Sequence, residues 1–394
     1  MQVIYTGEEL PKTITKSLML CGPSKRPDQE NNFDSWRKDA LQILTDKGYD
    51  GVVFCPEPRG FEFLDGHFNY DDQIEWEELC LNVADVILFY VPRDLSLDDK
   101  GKIKLAALTT NIEAGHWLDS GKTVYGAPKD ADNNRYLEYY AKKFRVPIAT
   151  SLVGTIENAL EKLGEGVERS GGERFVPLFV WNTPSFQSWY QAQTKAGNRL
   201  EDGSRLLYTF RPGYKDFVFL WILHAKVYVE AENRVKSNEI VIARTDISSV
   251  CLYKRGETLM DTQIILVKEF RSPASTPDGF IWELIGGSSN QDADPKEVAA
   301  EEVFEETGFH LAADRMVQHE SRQLAGTFSA HHSHLFSAEI TEKELEYFKR
   351  EKDIAHGNIE DSEMTFIEVK TVKEILNEKL TDWTTLGQIF SVLQ

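Results

Sequence analysis

The chain predicts an α/β protein of two domains, and three observations carry that expectation. Strand-like and helix-like segments alternate between residues 16 and 166, the pattern of a doubly wound parallel sheet covered on both faces. A second strand-rich region starts near Phe217 and contains one strongly acidic helix. The length, 394 residues, is sufficient for two separate cores.

The elements follow in order. Ser17 to Cys21 reads as the first strand, and Phe33 to Lys47 as an amphipathic helix that stops at Gly48. Gly51 to Cys55 is the second strand, Asp71 to Ala84 a helix, and Asp85 to Val91 the third strand. Thr110 to Leu118 is a helix ended near Gly121, and Lys122 to Ala127 the fourth strand. Asn133 to Phe144, Val146 to Thr150 and Thr155 to Leu163 complete the series as helix, fifth strand and helix. A five-stranded parallel sheet, flavodoxin- or Rossmann-like, is the expected architecture of residues 1–166.

Gly164 to Glu173 is rich in glycine and charge and carries no periodicity, so it reads as an interdomain linker. Residues 167–215 form this linker and an aromatic-rich connecting segment, with Trp181, Phe186, Trp189, Tyr190, Tyr208 and Phe210. The sequence leaves open whether they pack between domains or support a homo-oligomer. Residues 216–394 form the second domain, with strands at Lys226–Glu230, Glu239–Ala243, Ser248–Lys254 and Gln263–Phe270. Val372 to Asn377 and Thr384 to Leu393 close it as helices.

Composition narrows the function classes. A formal charge of −20 argues against non-specific nucleic-acid binding. Four widely spaced cysteines, three of them in apolar runs, suggest buried free thiols rather than a disulfide or zinc site. Met1 to Lys16 lacks the apolar core of a signal peptide. The longest apolar run, Phe217 to Ala225, is too short to span a bilayer. A cytoplasmic protein without membrane partners is the expectation.

The most informative stretch is Glu302-Val303-Phe304-Glu305-Glu306-Thr307-Gly308-Phe309. Asp294, Pro295 and Glu297 are a cap, a first helical proline and a capping-box glutamate, and Gly308 is a stop. Glu302, Glu305 and Glu306 therefore share a helix face. Three such carboxylates repel one another unless a hard cation such as Mg2+ or Mn2+ lies between them. From Gly287 onward, the spacing resembles the box of Nudix hydrolases, with two departures: Ala293 replaces a glutamate and Glu301 an arginine. The resemblance implies an α/β/α Nudix fold with a mixed sheet. It implies Glu302, Glu305, Glu306 and the Gly286 carbonyl as metal ligands. Val267 to Pro273, followed by Trp282 to Gly287, resembles the ADP-sugar branch of that family, and there Arg271 would hold the diphosphate or terminal sugar. The branch's later proline is missing around Leu324 to Gly326. Glu363, in the loop His356 to Glu363, is the expected general base in preference to Glu360. His331, His332 and His334 alternate as a strand would and receive no role.

In the first domain, ligands are expected at the carboxyl ends of the strands. Gly22-Pro23-Ser24-Lys25-Arg26 follows the first strand, and its glycine and cations suit a phosphate. Asp94 follows the third strand, and Thr110-Asn111-Ile112-Glu113 opens a helix. The order of these elements resembles the nucleoside 2-deoxyribosyltransferase-like family over roughly residues 16–150. The resemblance implies that Glu113 is the nucleophile, that Asp94 contacts sugar or base, and that Glu77 assists proton transfer. Thr110 and Asn111 would then lie at the substrate. Thr110-x-x-Glu113 is also a capping box, which would give Glu113 a purely structural role. The loop Leu95 to Leu108 reads as a lid or as a plain insertion.

The whole predicts a two-headed enzyme acting on a small nucleotide. One head would cut an ADP-ribose-like diphosphate, and the other would cleave or transfer an N-glycosidic bond. The alternative is a nucleotide-sensing protein whose altered box marks a weakened site.

Overall fold

Four apolar runs buried on both faces pair in parallel and are flanked by the short edge strands Gln2–Tyr5 and Ile148–Ala149. A computed structural model describes residues 1–24, 35–61, 70–211, 217–288, 293–327, 329–358 and 363–394. It divides into two compact units at Val241/Ile242.

In the first unit the strand order is Gln2–Tyr5, Val52–Cys55, Ser17–Cys21, Val86–Tyr90, Thr123–Gly126, Ile148–Ala149, with parallel pairing throughout. The edge strand Gln2–Tyr5 was not anticipated, so the sheet has six strands and not five. Side chains alternate across it. Leu18, Leu20, Val53, Val86, Leu88 and Val124 face α1 (Trp36–Asp46) and α5 (Leu152–Leu163). Met19, Cys21, Phe54, Ile87, Phe89 and Tyr125 face α2 (Tyr70–Val83), α3 (Leu108–Trp117) and α4 (Arg135–Lys143). Each fully buried aliphatic side chain contributes roughly 1.5–3 kcal/mol. The winding reverses between Ser17–Cys21 and Val86–Tyr90, which are hydrogen-bonded neighbours. Their carboxyl ends therefore flank the crevice in which such sheets hold ligands.

The segment expected as a linker is bound into this unit. Arg169–Ser170 pairs antiparallel with Thr13–Ile14, and the Arg169 side chain is fully buried. Its charge is neutralised by Asp85. The aromatic residues that follow also pack here. Phe186, on α7 (Pro184–Lys195), contacts Trp221, Tyr190 and Trp181, the last on α6 (Leu178–Trp181). Strand Leu220–Val229 pairs with Arg199–Leu200, Arg205–Phe210 and Arg234–Arg244. The sequence placed strands from residue 216 onward in the second domain, whereas these lie on the first side of the division as far as Val241.

The second unit holds a mixed sheet. Ile247–Lys254 runs parallel to His332–Glu339 and antiparallel to Gln263–Phe270, which pairs in turn with Thr365–Thr371. Val250, Leu252, Ile265 and Val267 face α8 (Pro295–Thr307) and α9 (Glu342–Arg350). Cys251, Ile264 and Leu266 face α10 (Val372–Glu378) and α11 (Trp383–Leu393). All four cysteines of the chain are buried free thiols. Among the described residues, no helix is long and apolar enough to cross a membrane.

Candidate active site

The carboxyl ends of the parallel strands collect charge around one buried cation. Arg37 lies in the first turn of α1, whose Ser35 cap accepts from the Arg37 N–H. Its side chain is 1% exposed. The guanidinium donates to Leu20 O at 3.0 Å, Gly22 O at 2.8 Å and Ser24 Oγ at 2.9 Å. It also forms a buried ion pair with Glu57, 2.9 Å away. Arg37 thus ties the turn after the first strand to the residue that follows the second.

Gly22 is required by this packing. Its φ is +152°, and a Cβ there would lie 2.2 Å from Tyr90 O and 2.9 Å from the Trp36 ring. The glycine admits the neighbouring strand end, where the sequence suggested the approach of a ligand. Ser24 accepts from Arg37. Lys25 and Arg26 lie outside the described residues.

Two carboxylic acids sit beside Arg37. Glu77 on α2 accepts from Gln73 Nε2 at 2.7 Å, and burial raises its carboxyl above the ordinary range. Glu113 on α3 is pushed up to about 7, first by burial and then by the Glu77 charge, with Arg37 opposing. The structure also removes the capping explanation for Glu113. Helix α3 starts at Leu108, and its cap is Ala107 in a left-handed conformation without a side-chain bond. Thr110 is therefore the third helical residue and cannot form the box with Glu113. Its hydroxyl is buried and finds no partner among the described residues.

Asp94 behaves differently. It opens a hairpin of Asp94–Leu97 and Ile103–Leu105, the structure of the loop read as lid or insertion. Its carboxylate accepts from Ser96 N at 2.9 Å and pairs with Lys104 at 3.7 Å, and these hydrogen bonds hold it below the usual range. These partners are in its own hairpin, and its charge is not among those that shift Glu77 or Glu113. Asn111 accepts a hydrogen bond from Arg93, which also donates to Asn133 O at 3.2 Å.

Residues 15–131 match the family described as nucleoside 2-deoxyribosyltransferase like. No curated protein matches the chain. The deoxyribosyltransferase-like region contains the crevice, Arg37, Glu57, Glu77 and Glu113, and the match does not extend into the second unit. The sequence reading missed Arg37 and Glu57. Arg37, Ala40 and Leu44 have the spacing of one buried helix face, and a cation on such a face is the signal that was available.

The second unit concentrates acid on α8. Asp294 caps this helix through Lys296 N at 2.7 Å, Pro295 begins it, and Gly308 ends it at φ 66°. Glu305 is exposed, but Glu306 is buried and accepts from Gly286 N at 3.0 Å. Burial, then Glu302, raise Glu306 well above the carboxylate range. Glu302 is pushed up to about 7 by burial, then by Glu305, Glu363 and Glu301. A Cβ on Gly287 would sit 2.3 Å from Glu302 Oε1, so that glycine makes room for the carboxylate. Arg271 is clasped by Glu283 at 2.8 Å and Glu269 at 2.9 Å, which occupy the side chain expected to hold a diphosphate. Glu363 N donates to Asn358 O, while Glu360 lies outside the described residues. His332 N and His334 both bind Asp246.

All-oxygen donors suit Mg2+ or Mn2+. Among the described residues, however, no group of three or more His, Cys, Asp or Glu is arranged to hold a metal ion. The donor chemistry fits, but the three glutamates do not converge: Glu306 accepts from a backbone N–H and is buried, Glu305 faces solvent, and Glu302 remains crowded by other carboxylates.

Proposed function

We propose that the first unit cleaves or transfers the N-glycosidic bond of a nucleoside or nucleotide, with Glu113 and Glu77 as its acid pair. The observation that carries this reading is the Glu113 carboxyl. It is raised to about 7 beside a second carboxyl in the ligand crevice, with no capping role to explain it. The family match to the same residues supports it.

The chemistry needs one charge and one proton. Ionised Glu113 attacks the anomeric carbon, and a C–O bond forms as the C–N bond breaks. Protonated Glu77 delivers its proton to the departing base nitrogen. Water or a second base then opens the glycosyl ester, with net retention at the sugar. The reactive pair carries one proton, which must lie on Glu77 when Glu113 attacks; that last proton is lost as pH rises through about 7, so turnover should fall there. Asp94, held in its hairpin, is left out of the chemistry. The test is release of free base from nucleosides and nucleoside 5′-monophosphates by wild type and Glu113→Gln, with a second base added to detect transfer.

A second reading concerns residues 242–394. The crowding of Glu302 by Glu305, Glu363 and Glu301 favours a divalent cation there, and the Nudix-like spacing would make the chain two-headed. Since three ligands do not converge, no hydrolytic step is derived for it. If this site binds nucleotide without turnover, the unit is a sensor. Following ADP-ribose by mass with and without Mg2+ separates the two.

A further inference from the structure

We infer that Arg37 is the positioning residue of the Glu77–Glu113 pair: it fixes the turn from Leu20 to Ser24 and Glu57 around the pair, and supplies its compensating positive charge. This rests on the glycosidic reading of that pair and deepens it.

The geometry is specific. A buried arginine has five donors to satisfy. Arg37 places three on carbonyls or a hydroxyl of the turn that closes the first strand, at Leu20, Gly22 and Ser24. It directs another to Glu57, past the end of the second strand. Its carbon Cζ lies 4.6 Å from the Trp36 ring centre, so the plane is held by stacking as well. One side chain thereby sets the positions of two strand ends in the crevice.

Its charge reaches further than its hydrogen bonds. Glu57 contacts Arg37 directly, and the Arg37 charge also acts on Glu77, Glu113 and the thiols of Cys21 and Cys55. It lowers the proton affinity of Glu77 and Glu113 against the burial that raises both. Glu57 competes for the same charge. The pair therefore depends on how much of the Arg37 charge Glu57 neutralises.

The experiment follows the Glu113 carboxyl directly, by carbon-13 NMR titration of folded protein, beside the pH profile of base release. Arg37→Met should move the Glu113 midpoint upward by roughly one pH unit or more, and the falling limb of base release with it. Arg37→Lys keeps a charge but loses the fork. It should leave the midpoint near the wild-type value while lowering kcat. Glu57→Gln should move the midpoint downward, and it decides the matter if Arg37→Met does not fold. An unmoved midpoint in Glu57→Gln and in any folded Arg37→Met overturns the inference. If wild type releases no base, the glycosidic reading fails, yet the titration still decides whether Arg37 governs the pair.

Discussion

Asp85 receives both terminal nitrogens of Arg169, at 2.8 and 2.7 Å, with neither side chain reaching solvent. The same carboxylate accepts Ser17 N at 2.9 Å and Leu178 N at 2.9 Å. One acid, at the foot of the third core strand, thus fastens the start of the first and the segment beyond α5.

Breaking this pair from one side leaves a buried arginine without a counter-charge. Asp85→Asn should therefore destabilise the protein by about 3–5 kcal/mol. Chemical denaturation at neutral pH measures it. A loss below about 1 kcal/mol, the surface-pair range, would show that the pair is not shut off from water.

Glu113→Gln should stabilise the fold in a pH-dependent way. The folded carboxyl titrates at about 7 against an ordinary 4.5. A raised acid binds more protons in the folded state, so its contribution is favourable below 4.5 and is lost as pH rises through 7. Gln carries no such charge. The melting temperature of the variant should exceed wild type at pH 8 and approach it at pH 5. A variant that melts lower at both pH values would mean that the acid has a structural role.

Glu302 follows the same sign, with its folded carboxyl also at about 7. A divalent cation at this face would relieve the repulsion, so millimolar Mn2+ should raise the melting temperature more at pH 8 than at pH 5. The gain should vanish in Glu302→Gln. No thermal response to Mn2+ in wild type at pH 8 would remove the cation from the account.

The sequence made the parallel sheet legible because its strands are apolar throughout and its helices alternate with them. Ser17–Cys21 appears at its predicted bounds. Gln2–Tyr5 escaped because it is four residues long and lies at the edge, half-exposed, with no periodic run around it. Arg169 escaped for another reason. Glycine and charge signal a linker only when the charge is solvated, and its partner Asp85 lies 84 residues away. At the site, Glu113 and Glu77 were legible as acids on helices near strand ends. The burial that distinguishes a chemical acid from a cap was not, because it depends on where α3 begins. Asp94 shows the converse, since adjacency to a strand end did not foretell that a hairpin would claim its carboxylate.

The most direct test of the central claim is the rate of base release from nucleosides and nucleoside 5′-monophosphates, measured from pH 5 to 9 for wild type and Glu113→Gln. The account predicts a wild-type rate that falls as pH rises through about 7, and release abolished in a Glu113→Gln protein that melts no lower than wild type. Base freed by Glu113→Gln at the wild-type rate, or a wild-type rate that climbs as pH rises through about 7, would contradict the assignment of Glu113 as nucleophile and Glu77 as its acid.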